Sequence, residues 1–171
     1  MANETSKPVV AIETAMGTMK VELWPDRAPV TVGNFLQYAD DKFFDGLIFH
    51  RVIKNFMIQG GGFAATMGQK STRPPIQNEA RTDTPNNRGT LAMARTSDVD
   101  SASSQFFINL VDNEFLNHRD STPAGFGYAV FGAVIEGLDV LDKIAAVKTS
   151  KVGPHSDVPV TPVVIKSVRR A

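Results

Sequence analysis

The sequence predicts a mostly-β protein, an antiparallel barrel or sandwich flanked by two helices. Three observations lead there. Short runs rich in Val, Ile and Phe recur between clusters of Gly, Pro, Asn, Asp and Ser, the pattern of strands and turns. Two stretches only show apolar residues at helical spacing. Strands and helices do not alternate regularly, which argues against a parallel α/β sheet.

Taken in order, residues 1–7 read as a loose polar arm, and residues 8–171 as a single domain. Val9–Ala15 and Thr18–Trp24 read as two strands around a Met16-Gly17 turn. The second alternates cleanly, with Met19, Val21 and Leu23 on one face and Lys20 and Glu22 on the other. Pro29 opens a helix, because a first-turn N–H has no partner to lose. Val32, Phe35, Leu36 and Ala39 form its apolar stripe, and Asp45-Gly46 ends the segment. Leu47–Ile53, Phe56–Gln59, Thr90–Arg95, Phe106–Leu110 and Ala129–Ile135 follow as strands. Phe63–Arg88 lacks periodicity, and a loop of that length inside a compact domain is usually functional. Leu138, Leu141, Ile144 and Ala145 mark a second helix within Gly137–Val147, and Pro162–Val168 reads as a last strand.

Composition narrows the chemistry. The chain of 171 residues carries 18 Lys+Arg against 18 Asp+Glu, so no charge excess points to nucleic acid or an anionic membrane. No apolar run approaches the length of a membrane span. Without cysteine, disulfides, thiolate catalysis and Cys-ligated metals are excluded. Glu4 and Lys7 stand where a signal peptide needs an apolar core, so a cytoplasmic location is expected. Near-zero net charge and the lack of an obvious apolar stripe leave a monomer as the expectation.

Most catalytic motifs are missing. The three histidines, His50, His118 and His155, show no metal-binding spacing, and no cofactor or metal is expected. There is no G-x-S-x-G elbow for a serine nucleophile. Gly60–Gly62 and Gly68-Gln69-Lys70-Ser71 suggest a phosphate loop, but Gln69 stands where that motif needs glycine. Close backbone packing or a strand end is the reading left for the three glycines.

The segment Phe49–Gly62, FHRVIKNFMIQGGG, is more informative. Arg51 sits among Phe49, Val52, Ile53, Phe56, Met57 and Ile58. Such an arginine either lays its stem along the surface and pairs with a carboxylate, or stands at the rim of an apolar pocket with Gln59 as a second polar group. Spacing leaves both readings open.

This segment closely resembles the signature of the cyclophilins. The resemblance continues through LAMAR (Leu91–Arg95), SQFFINL (Ser104–Leu110), NEFLN (Asn113–Asn117) and GYAVFG (Gly127–Gly132), and covers Val9 to Val168 in the family's order. The chain looks most like bacterial cytoplasmic members. The resemblance implies a closed eight-stranded antiparallel barrel capped by two helices. It implies peptidyl-prolyl cis–trans isomerase activity on proline-containing polypeptides, assisting folding, with Arg51 as the catalytic residue. It places Phe56, Met57, Phe107 and Leu116 in the proline pocket. Gln59 and the main chain at Arg95 are implied to bind the substrate backbone, with Ala94 and Gln105 as groove floor and side. For the pocket residues plain core packing is the alternative, and for Gln105 a structural hydrogen bond.

Two positions depart from many eukaryotic cyclophilins: Phe115 stands where they have Trp, and Tyr128 where they have His. The lost indole N–H implies weaker binding of cyclosporin-like ligands, while the rotation chemistry should survive. His50 is expected to order the site from behind, and His118 and His155 to be surface loop residues. Two other functions fit the same expectations: a non-catalytic peptide-binding module, and a lipocalin-like barrel holding an apolar molecule in its lumen.

Overall fold

The computed structural model describes residues 7–171; the expected arm over 1–7 therefore lies almost wholly outside the described residues. Eight strands form one antiparallel, strongly curled sheet: β1 (Val9–Thr14), β2 (Gly17–Leu23), β3 (Arg51–Ile53), β4 (Met57–Gly60), β5 (Thr90–Met93), β6 (Phe106–Asn109), β7 (Val130–Glu136) and β10 (Ile165–Arg170). Their spatial order is β10-β1-β2-β7-β5-β6-β4-β3. Helix α1 (Pro29–Asp40) and helix α2 (Leu138–Ala145) flank the sheet, and β8 (Thr149–Val152) with β9 (His155–Pro159) makes a separate hairpin.

The predicted strands and both helices are present, with ends shifted by at most four residues. The β8–β9 hairpin escaped the sequence reading, because its residues Thr149–Val152 are all exposed and carry no apolar alternation. The implied closure needs refinement. The edge strands β3 and β10 share no ladder. Extended residues beside them cross the seam instead: the Ile165 amide donates to Leu47 O (2.7 Å), Gly46 to Ile165 O (2.9 Å) and Phe49 to Val163 O (3.1 Å). Pro162, just before this stretch, has no N–H to extend a ladder.

Side chains fill the interior. Phe35 from α1 meets Phe44, Phe106 and Phe131 at ring-centroid distances of 5.2, 5.4 and 5.2 Å. Ile12, Met19, Leu23, Phe49 and Ile58 complete the packing, all essentially without solvent exposure. That filled core disposes of the ligand-holding lumen. Val140, Leu141 and Ile144 of α2 join the same core.

The long segment between β4 and β5 is pinned to α1 and to the turn after it. Arg73 N donates to Tyr38 Oη (2.9 Å), and Lys70 Nζ to Phe43 O (2.7 Å). Helix α1 starts at Ala28, which has no side chain able to cap. Glu79 supplies the cap from far along the chain: its carboxylate accepts from Val30 N (3.2 Å), Thr31 N (2.7 Å) and Thr31 Oγ1 (2.7 Å). The anion also sits favourably at the positive end of the helix. Glu79→Ala removes all of this, and a loss of about 1–2 kcal/mol is expected, read as a lower midpoint in urea unfolding.

Candidate active site

The turn after β3, with Asn55 in the left-handed region (φ 59°), fixes the register Arg51↔Gln59 on β4. Pairing continues Gln59↔Phe107 on β6, Phe107↔Ala92 on β5 and Ala92↔Val130 on β7. These five residues form one row across the outer face of the sheet. Their neighbours Val52, Ile58, Ile108 and Leu91 point into the main core. Met57, Ala92, Phe107, Leu116 and Val130 make a second, smaller apolar cluster on the outer face, bordered by Phe56, Ala94 and Tyr128.

A cavity of about 140 Å³ opens above this row. Phe56, Met57, Phe107 and Leu116 supply its apolar walls, and Arg51, Gln59, Ala94, Arg95 and Tyr128 its remaining lining. Nine of the residues expected from the sequence are thus brought together. Gln105 does not line the cavity; its Oε1 accepts from Gln59 Nε2 (2.9 Å), and it borders a neighbouring polar groove with Gln69, Thr96 and Ser101. Phe115 lies outside, 62% exposed, with its ring stacked on Phe56 at 5.6 Å. It can shield the outside of the pocket wall but does not face the cavity.

Arg51 Nη1 donates to Gln59 Oε1 over a long 3.4 Å. Among the described residues no salt bridge engages Arg51, and the residue is exposed at the rim of the cavity. Gln105, Gln59 and Arg51 therefore form a chain in which each amide orients the next group. Gly62 makes room for it: a Cβ there would lie 2.5 Å from Gln105 Cγ.

Behind the cavity lies a buried polar network that the sequence reading missed. Asn113 Nδ2 donates to Phe56 O (2.9 Å) and to Asn109 Oδ1 (2.8 Å). Asn109 Nδ2 donates to Asn86 Oδ1 (3.1 Å), and Asn86 Nδ2 to Leu116 O (3.2 Å). Two pocket walls are thus tied through three asparagines that are almost completely buried. Asparagine inside a strand such as FFIN is the available signal, since a buried amide must find partners.

Among the described residues no hydrogen bond joins His50 to the site residues. Alternation turns it away from Arg51, onto Phe63 (4.5 Å between centroids) and towards His155 (6.5 Å). Among the described residues its Nδ1 has no partner. His155 belongs to β9 rather than a loop. His118 holds the Phe126 carbonyl through Nδ1 at 2.7 Å.

An arginine and a glutamine stand together over a small apolar cavity on the outer face of a curled antiparallel sheet. A family model for cyclophilin-type peptidyl-prolyl cis–trans isomerases matches residues 9–170. A peptidyl-prolyl cis–trans isomerase of Streptomyces antibioticus is 56% identical over 94% of this chain and 96% of its own. Peptidyl-prolyl cis–trans isomerase B of Escherichia coli is 51% identical over 94% and 98%. A cyclophilin-type isomerase of Cryptosporidium parvum, solved in the presence of the dipeptide Ala-Pro, superposes with a TM-score of 0.82 at 28% identity, covering 95% of this chain and 98% of that one. The chain belongs to the cyclophilin family and is a peptidyl-prolyl cis–trans isomerase.

Burial, then the charges of His155 and Arg51, lower the pKa of His50 from the ordinary 6.5 to about 4. Unfolded, this ring takes its proton near 6.5; folded, only near 4. The stability it contributes is complete above pH 6.5 and is lost as pH falls towards 4. The full effect is about 3 kcal/mol. In His50→Gln the loss of stability between pH 6.5 and 4 should shrink by an amount of that order, measured by urea unfolding at a series of pH values.

Proposed function

We propose that the chain rotates X-Pro bonds in flexible or unfolded polypeptides, with Arg51 as the catalytic residue. The observation that carries this reading is the Arg51 guanidinium, held by Gln59 at the rim of the apolar cavity and without a carboxylate partner among the described residues. Proline fills the cavity against Phe56, Met57, Phe107 and Leu116, which places the preceding amide at the rim. Planar conjugation of that amide makes a barrier of about 18–20 kcal/mol. In the twisted state the nitrogen lone pair is freed. Arg51 donates to that nitrogen or to the adjoining carbonyl, so it binds the twisted state better than either planar one. Neither proton transfer nor a covalent intermediate is required.

Magnitudes set the limits of Arg51. Moving the reaction from roughly 100 seconds to milliseconds takes about 10⁵-fold, or about 7 kcal/mol. One charge-assisted hydrogen bond supplies about 1.5–3 kcal/mol. Gln59, with Gln105 behind it and the main chain at Arg95, fixes the peptide backbone, and the apolar walls exclude water; orientation and desolvation supply the rest. Ala94 and Tyr128 border the groove.

Several partners and limits follow from this reading. The substrates are proline-containing polypeptides, as supported by the Ala-Pro dipeptide used with the Cryptosporidium protein. Phe115 has no indole N–H to offer, so cyclosporin-like ligands bind weakly. The protein acts as a cytoplasmic monomer that assists folding; no helix among the described residues is long and apolar enough to cross a membrane. A non-catalytic peptide binder on the same barrel would leave the guanidinium without a task.

The test is exchange NMR on an Ala-Pro peptide. Arg51→Ala should lower kcat/KM by roughly ten- to a hundred-fold while the peptide still binds, the loss of one charge-assisted hydrogen bond. Rotation as fast as in the parent chain would overturn the role given to Arg51. A parent chain that binds the peptide without speeding exchange would favour the binding module.

A further inference from the structure

The loop between the 3-10 turn Glu114–Leu116 and β7 borders the cavity through Tyr128. Its neck is closed by the Tyr128 amide, which donates to Leu116 O (3.0 Å). Gly127 makes that closure possible: its φ is +78°, and a Cβ would lie 2.7 Å from Leu116 O and His118 N. The rest of the loop bonds to itself. Arg119 N and Asp120 N both donate to Gly125 O, Phe126 N donates to Thr122 O, and Asp120 Oδ1 accepts from Thr122. The tip, residues 119–124, is exposed.

Arg95, two residues beyond β5, reaches into this loop. Its Nε donates to Gly127 O (3.0 Å) and its Nη2 to Pro123 O (3.0 Å), while Nη1 is held by Thr96 O (2.8 Å). Asn78 Nδ2 also donates to Gly127 O (3.2 Å), at the neck. Among the described residues, the bond from Arg95 to Pro123 is the one that reaches the tip from outside the loop. The same guanidinium lies 4.9 Å from the centroid of the Tyr128 ring. Tyr128 in turn packs edge-on against Phe107, 5.6 Å away, on the cavity floor.

We infer that the Arg95 side chain is a positioning residue, which ties the loop Asn117–Tyr128 to the groove and holds Tyr128 against Phe107 so that the proline pocket is preformed. This rests on the isomerase reading of the site and adds to it, since the peptide contact expected at Arg95 involves its main chain alone. The physical argument is one of fit. Three backbone carbonyls in different directions match a planar fork with five N–H groups, and the flat guanidinium stacks on the tyrosine. A lysine offers one point charge and cannot span them. Without the strut, the loop and Tyr128 sample open arrangements, and binding must first select the closed one. The Arg51–Gln59 pair stands on β3 and β4, so the chemistry of bound peptide is largely spared.

The experiment compares the parent, Arg95→Met and Arg95→Lys on the Ala-Pro peptide, with kcat and KM separated by exchange NMR. Both variants should raise KM about ten-fold and lower kcat less than three-fold, and lysine should not rescue. Unchanged KM in Arg95→Met, full rescue by lysine, or an equal fall of kcat would overturn the inference. A parent chain with no activity would overturn the isomerase reading itself, and this inference with it. Should Arg95→Met fail to fold, the parent chain alone suffices: saturating peptide should slow tryptic cleavage after Arg119 several-fold, followed by mass spectrometry, because preforming and binding are linked. An unaltered cleavage rate would count against the strut.

Discussion

The pairing register of β3, β4, β6 and β5 is the constraint on which both core and site depend. Side chains along a strand point to two sides in turn. In β5 and β6 every residue is buried, because the inner set fills the barrel and the outer set forms the floor of the groove. A slip of one residue would move Ile58, Ile108 and Leu91 outward and drive Arg51, Gln59 and Phe107 into the aromatic core. Burying that arginine without a partner would be prohibitive. The apolar core and the charged rim thus select the same register from opposite sides, and Asn55 in its tight turn agrees with both.

The rim shows how a weak set of polar groups becomes directional. Arg51 is exposed, and its bond to Gln59 is long. A flexible arginine on a surface would spread its donors over many positions. Gln105 restrains Gln59, and Gln59 limits Arg51, so orientation is passed along two amides. On the far side of the cavity the asparagines behind Phe56 and Leu116 do the same for apolar walls, fixing them through their backbone carbonyls. The groove is held from its own second layer on both flanks, which fits a reaction that depends on geometry more than on acid–base chemistry.

Much of this was legible in the sequence, and the rest was not for identifiable reasons. Alternation in Thr18–Trp24 and the apolar stripe Val32, Phe35, Leu36, Ala39 gave β2 and α1 directly. Spacing around Arg51 left a surface ion pair and a pocket rim both open; the resemblance to cyclophilins separated them. Phe115 was expected within the groove and lies on its outside, because the 3-10 turn that buries Leu116 turns its neighbour to solvent. Glu79 and the asparagines act across long sequence separations, where no local pattern records them. His50 adjoins Arg51 in sequence yet faces the opposite way, as alternation requires.

The pairing of β1 with β10 has a kinetic consequence. Val10 lies opposite Arg170, so the first and last strands of the sheet are neighbours from opposite ends of the described chain. During synthesis β1 can pair with β2 at once, but its other edge stays uncovered until β10 emerges. Such long-range closure makes folding slow, and an open edge invites pairing with another chain. This protein, whose reaction relieves a slow step in the folding of others, therefore passes through an interval of its own in which a bare strand must be kept from the wrong partner.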